Sequence, residues 1–178
     1  MGSGCQGGGA LSAPCHAGAD GVVCFIGAGS SEYVGRAILP YLKKYCPYAV
    51  DCCGTTDLVV APESCVDPDR KTVLVSFARS GDSPESLGAI KAAQAVSDNI
   101  SNVIITCNYD GALSKYGKGR DDCYVINLPQ IINDSGFAMT NSFTSMYYTA
   151  LLCFAGDKTA PEKKNTWKLW AKVVVSII

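Results

Sequence analysis

Five short runs of apolar residues recur along the chain, and they restrict the fold more than any other feature. The runs are VVCFIG (22–27), AVDCC (49–53), TVLVSF (72–77), NVIITC (102–107) and CYVINL (123–128). Strands that are apolar on both faces belong in parallel sheets that helices cover on both sides. Helical stretches alternate with these runs. The sequence therefore predicts a doubly wound, flavodoxin-like α/β domain with a five-stranded parallel sheet flanked by helices.

Three longer stretches have the pattern of helices. They cover residues 32–45, 84–97 and 138–155. In the first of them, the spacing of the apolar side chains predicts which face is buried. That face carries Tyr33, Ala37, Leu39, Tyr41 and Leu42.

Composition and charge argue against several classes of protein. Hydrophobic residues make up 48% of the chain and charged residues 17%, which excludes an intrinsically disordered chain. The 15 basic and 16 acidic side chains leave no basic excess, so we expect no nucleic-acid partner. There is no run of 18 apolar residues and no signal-peptide pattern, so we expect no membrane partner and a cytoplasmic location.

The chain divides into three parts by composition. Residues 1–20 are rich in glycine and are predicted to be a flexible leader, and residues 21–156 hold the regular pattern. Residues 157–178 are predicted to end in an amphipathic helix, whose apolar stripe includes Trp167 and Trp170. This stripe packs either on its own domain or on a second domain or copy, so we expect a homo-oligomer or a second half.

Ten cysteines are present, but they do not have the spacing of a metal site. There is no CxxC pair, and the lone His16 has no second pair of ligands nearby. Cys24, Cys107 and Cys153 lie inside apolar runs. We interpret the cysteines as buried thiols in a reducing cytosol, with a disulfide or a metal site as the less favoured alternatives.

The segment FARSGDSPES (77–86) leaves a strand and opens a helix, and it has the strongest chemical signal in the chain. Pro84 suits the first helical position, and Ser83 then becomes the N-cap, where its hydroxyl can accept a backbone N–H. Gly81 allows close approach of an anion, and Arg79 and Ser80 add donors. Unpaired N–H groups at a helix start bind phosphate. The alternative is an ordinary capped helix start.

Two other loops follow predicted strands in the same way. The loop GAGSS (27–31) lacks the third glycine of a dinucleotide fingerprint, and its alternative interpretation is a tight turn with an N-cap. The segment 133–142 joins the fifth strand to the last helix, and Thr140 and Asn141 lie near that helix start. Ligands of parallel sheets bind outside the carboxyl ends of the strands, where all three loops meet.

Four segments together resemble one protein family. FIGAGSSEYVGRAI, LVSFARSGDSPES, VIITCN and INDSGFAMTNSFTSM look like the first sugar isomerase (SIS) domain of the tagatose-6-phosphate ketose/aldose isomerase family. The resemblance covers residues 22–155. It implies the SIS fold, a sugar phosphate as small-molecule ligand and no cofactor or metal.

The resemblance also assigns binding residues one by one. It implies that the phosphate sits on the segment from 79 to 83, that Ser31 touches the sugar phosphate and that Thr140 lies near the ligand. The substrate-binding residues implied are Ser31, Arg79, Ser80, Gly81, Asp82, Ser83 and Thr140.

The catalytic base stays open at the level of sequence. Isomerisation between aldose and ketose needs a base that moves a proton, and the acidic candidates are Glu32, Asp82, Glu85 and Asp134. Relatives of this type carry two SIS domains, and this chain matches one. We therefore expect a phosphosugar-binding half of an isomerase or amino-sugar deaminase that lacks its catalytic second domain. The alternative is a non-catalytic sugar-phosphate sensor or a structural partner subunit.

Overall fold

A five-stranded, wholly parallel sheet forms the centre of the computed structural model, which describes residues 21–134, 136 and 138–155. Its strands are β1 Gly21–Gly27, β2 Ala49–Gly54, β3 Lys71–Ala78, β4 Ile100–Thr106 and β5 Cys123–Asn127. The strand order is β2-β1-β3-β4-β5. This order confirms the predicted doubly wound α/β fold. Each predicted run also forms a strand within one or two residues of its expected ends.

Helices cover both faces of the sheet. They are α1 Ser30–Tyr45, α2 Thr55–Val60, α3 Pro84–Val96, α4 Ala112–Gly117 and α5 Thr140–Phe154, with 3-10 turns at Pro62–Ser64 and Gln130–Ile132. One core joins α1 and α5 to the sheet and includes Phe25, Val75 and Ile105. The other core lies under α2, α3 and α4. The neighbouring residues Phe25 and Ile26 enter opposite cores, as expected for a strand apolar on both faces.

The predicted buried face of α1 is confirmed at Leu42 and wrong at Tyr33 and Ala37, which are exposed. The buried residues of this helix are Ser31, Val34, Gly35, Ile38 and Leu42, whereas Tyr33 is 62% exposed. Gly35 explains the difference, because a Cβ there would lie 2.9 Å from the Cβ of Phe25. The helix therefore approaches the sheet most closely at a residue without a side chain, and this contact sets which face is buried. Leu39 and Tyr41 are half-buried and pack against the edge of the core.

Six of the described cysteines are free thiols. Cys24, Cys46 and Cys107 are buried, and burial raises the pKa of Cys24 to about 12. The half-buried ones are Cys52, Cys123 and Cys153. Cys53 and Cys65, however, form a disulfide, so the interpretation as free thiols is wrong for this pair. The cause lies in the fold: β2 ends at Gly54, one residue after Cys53, and α2 with the following 3-10 turn returns the chain until the two Cα atoms are 6.5 Å apart.

Loss of this disulfide should destabilise the fold measurably. Replacing Cys65 with serine opens a ring of about a dozen residues, which we expect to lower the free energy of unfolding by about 3 kcal/mol in the absence of reductant. Urea unfolding with and without dithiothreitol measures this loss. With the reductant present, the wild type and C65S should have equal free energies of unfolding. The control C52S keeps the disulfide, so dithiothreitol should destabilise it as much as the wild type. A wild type equally stable in both conditions would contradict the prediction.

Several sequence predictions concern residues outside those described. The leader 1–20 and the segment 157–178, with its stripe of Trp167 and Trp170, fall there, so both remain predictions. Among the helices that the structure describes, none has the length and apolar character needed to span a bilayer. The described residues also hold no group of three His, Cys, Asp or Glu side chains that could bind a metal ion.

Candidate functional site: a polar crevice at the carboxyl end of the sheet

The sheet changes its direction of growth beside β1, and this topology creates a crevice. From β1 the chain passes through α1 to β2 on one side, and the next strand, β3, pairs with the other side of β1. The β1–α1 loop and the β3–α3 loop (residues 79–83) therefore depart to opposite faces of the sheet. A gap between two such loops is where ligands of doubly wound sheets bind. Two of the loops singled out in the sequence thus flank one crevice.

The β3–α3 loop is built for close approach. Gly81 has a φ of +67°, and a Cβ at this position would lie 3.2 Å from the hydroxyl of Thr106. Only glycine fits this backbone conformation without strain. Pro84 is the first residue of α3 and Ser83 its N-cap residue, as the sequence predicts.

The hydroxyl of Ser83 does not accept a backbone N–H, in contrast to the sequence prediction. It donates instead to the carboxylate of Glu85, and this hydrogen bond lowers the pKa of Glu85. The N-terminus of α3 therefore has no cap from its N-cap side chain. Pro84 has no N–H and the N–H of Ser86 donates to the carbonyl of Ser83 at 3.1 Å, so what α3 offers an anion at this point is the positive end of its dipole.

The β4–α4 segment braces this loop from behind. The side-chain amide of Asn108 donates to the carbonyl of Ser80 over 2.9 Å, and the N–H of Leu113 donates to the carbonyl of Gly81 over 2.9 Å. The carboxylate of Asp82 accepts from the N–H of Ala112 at 2.9 Å. These contacts turn the loop carbonyls and the Asp82 carboxylate toward the protein. Asn108 belongs to the TCN motif, but the sequence analysis did not assign it a role.

Arg79 extends from the loop toward the segment before α5. Its Nη1 donates to the backbone carbonyl of Asp134 over 2.9 Å and to Oδ1 of Asn133 over 3.4 Å. Both acceptors are neutral, so these hydrogen bonds orient the guanidinium without neutralising its charge. The positive charge therefore stays next to the β3–α3 loop while it ties the loop to the chain about 55 residues later.

Asp134 caps the start of α5 from outside the helix. Its Oδ2 accepts from the N–H of Ser142 at 2.8 Å and from the Ser142 hydroxyl at 3.1 Å, and its Oδ1 accepts from the side-chain amide of Asn141 at 3.0 Å. These hydrogen bonds, with that from the Ser142 N–H the largest contribution, lower the pKa of Asp134. The N-cap residue Met139 provides no side-chain cap itself.

The starts of α1 and α5 border a shared groove. Thr140 is the first residue of α5 and is exposed, and it lines a cavity of about 350 Å³ together with Ser30, Met139, Phe143 and Thr144. Ser31, one residue along from Ser30, is buried at 8% exposure. The structure thus brings the first and last loops together, as the sequence predicts.

The four acidic candidates for a catalytic base all have internal partners. The carboxylate of Glu32 pairs with the guanidinium of Arg36 at 2.6 Å, and that of Glu85 accepts from Ser83. Asp82 and Asp134 accept the backbone N–H groups described above. Each carboxylate therefore has a structural contact that holds it in place.

Three comparisons place the chain among known proteins. It is 44% identical over 135 residues to a candidate D-galactosamine-6-phosphate deaminase AgaS of Streptomyces coelicolor, and the match covers 76% of this chain and 35% of the relative. It is 38% identical over 141 residues to D-galactosamine-6-phosphate deaminase AgaS of a Shewanella species, and that match covers 78% of this chain and 36% of the relative. The crystal structure of tagatose-6-phosphate ketose/aldose isomerase from Escherichia coli matches with a TM-score of 0.75 and 31% identity, over 89% of this chain and 43% of that one. No protein-family model matches. The chain spans about a third of the length of these curated relatives.

Proposed function

The chain belongs to the sugar isomerase (SIS) domain family, and from this premise we propose that its crevice binds the phosphate group of a sugar phosphate. The observation that carries the proposal is the β3–α3 loop. It combines a left-handed glycine, Gly81, with an α3 N-terminus that its N-cap side chain leaves uncapped and with the positive charge of Arg79. Such a set of donors favours a phosphate or a similar oxyanion.

We assign the phosphate to the backbone N–H groups and hydroxyls of the loop, with Ser80 as its main side chain. The carbonyls of Ser80 and Gly81 and the carboxylate of Asp82 are engaged with the β4–α4 segment, so these three acceptors are held away from the bound anion. The Ser83 hydroxyl, which donates to Glu85, must turn from that carboxylate to reach the anion. Of the residues implied by the family resemblance, Asp82 therefore serves the shape of the loop. We assign Ser31 and Thr140, at the starts of α1 and α5, to the sugar.

We further propose that the chain binds sugar phosphate without turning it over alone. Each acidic candidate near the crevice is tied to a partner, and the described residues leave none of the four without a contact. A general base must lie within hydrogen-bond reach of the proton that it removes, and these contacts direct each of the four carboxylates toward a partner within the chain. A second SIS half, or a second copy of this chain, would supply that base in the cytoplasm, the location proposed from the sequence. A sugar-phosphate sensor is the alternative that the engaged carboxylates favour.

Titration of the chain with defined ligands tests the proposal. We expect isothermal titration calorimetry to detect D-galactosamine 6-phosphate and tagatose 6-phosphate, and inorganic phosphate more weakly, with no signal for unphosphorylated galactosamine. Assays for ammonia release and for aldose–ketose conversion should show no turnover. Equal binding of galactosamine with and without its phosphate would overturn the assignment of the phosphate to the loop. Turnover by the chain alone would overturn the proposal that the catalytic base comes from elsewhere.

A further inference from the structure

The segment before α5 makes contacts on two sides of the crevice through one residue. The backbone carbonyl of Asp134 accepts from Arg79 of the β3–α3 loop, while its carboxylate accepts from Asn141 and Ser142 at the start of α5. Two parts of the chain that approach the crevice from different strands are thereby fixed relative to each other.

We propose that Asp134 is a positioning residue that sets the sugar-binding side of the crevice, distinct from the phosphate-binding side. This assignment rests on the proposed function. The carboxylate of Asp134 holds the first turn of α5, and Thr140 begins that turn. Arg79 is the matching contact on the other side, since it holds the Asp134 backbone at a set distance from the loop.

The charge of Asp134, as well as its shape, contributes to this role. A helix N-terminus carries a partial positive charge, and the α5 N-cap residue Met139 contributes no side-chain cap. Asp134 supplies three accepted hydrogen bonds from two residues, and hydrogen bonds to a charged acceptor are the stronger kind. Without them, the first turn of α5 would lose its connection to the loop before it, and Thr140 would lose its fixed place in the groove.

The two sides of the crevice predict different effects on two ligands. Inorganic phosphate needs only the β3–α3 loop, which the β4–α4 segment braces independently through Asn108 and Asp82. A sugar phosphate also needs the start of α5. In D134N, which keeps the size of the side chain and loses its charge, we expect affinity for D-galactosamine 6-phosphate to fall about tenfold and affinity for inorganic phosphate to stay within twofold.

A matched control separates this role from a loss of stability. Asp122 is another hydrogen-bonded carboxylate, paired with Arg120 just before β5 at the opposite end of the sheet. D122N makes the same chemical change there, and it should leave the ratio of the two affinities at the wild-type value. D134E restores the charge, so it should recover part of the lost affinity for the sugar phosphate.

Calorimetric titration of both ligands into the wild type, D134N, D134E and D122N, at one temperature where all are folded, gives the result. A selective loss for the sugar phosphate in D134N supports the assignment. An equal loss of affinity for both ligands would overturn the assignment, because Asp134 would then act on the phosphate loop or on the whole fold. Unchanged affinity for both ligands would overturn it as well. A wild type that binds neither ligand would show instead that the proposed function is wrong.

Discussion

Replacing Ser80 with aspartate should lower the affinity of the chain for inorganic phosphate about a hundredfold. The new carboxylate would lie inside the loop that is assigned to the anion, next to Gly81. Two unit charges about 4 Å apart repel by about 4 kcal/mol at an effective dielectric constant of 20, and solvent at this half-buried position screens part of this. A hundredfold loss corresponds to about 2.7 kcal/mol.

The neutral variant S80N separates charge from shape. Asparagine has nearly the size of aspartate without its charge, so the affinity of S80N for phosphate should fall only severalfold. Calorimetric titration with phosphate measures both, and the melting temperature of each variant shows that the loop change leaves the fold intact. If S80D and S80N bind phosphate equally well, the anion does not occupy this loop, and the proposed function would lose its main support.

Replacing Gly27 with alanine should unfold much of the population or lower the free energy of unfolding by about 3 kcal/mol or more. Gly27 ends β1, and a Cβ there would lie 2.6 Å from the carbonyl carbon of Ser31 and from the backbone nitrogen of Glu32. These are backbone atoms of the first turn of α1, so relief requires the helix to move away from the sheet. Overpacking against side chains typically costs about 1–3 kcal/mol, and the backbone atoms here cannot rotate away, so we expect the upper end of that range or more.

Gly88 offers a control of the same chemical change in a place with room. It lies inside α3, where an added Cβ meets only the side chain of Val59, at 3.5 Å. Because alanine favours helix over glycine by about 1 kcal/mol, G88A should be as stable as the wild type or more stable. Urea unfolding followed by circular dichroism compares the two. A G27A protein as stable as G88A would contradict the close approach of α1 to β1.

The order of strands and helices could be predicted from the sequence because it depends on local patterns. Apolar runs such as VLVSF in β3 have no polar face, and that property alone requires helices on both sides of a parallel sheet. The candidate site could be predicted for a related reason. In a parallel sheet every strand ends at the same edge, so the Ser- and Gly-rich loops that follow β1 and β3 meet without any knowledge of packing.

The roles of individual side chains were decided by contacts between distant residues. The carboxylate of Asp82 accepts from the N–H of Ala112, 30 residues away, and Arg79 donates to the carbonyl of Asp134, 55 residues away. No spacing in the sequence encodes such partners, since they depend on which strands become neighbours in the sheet.

The buried face of α1 and the pairing of Cys53 with Cys65 have the same origin. The helix rotates until Gly35 meets the sheet, and the turn after α2 brings two thiols together. The sequence by itself therefore determined the architecture and the edge of the sheet that carries the candidate site, because periodicity and strand direction are local properties. Only the tertiary structure decided which side chains of that site are engaged in internal contacts, because hydrogen-bond partners are set by packing.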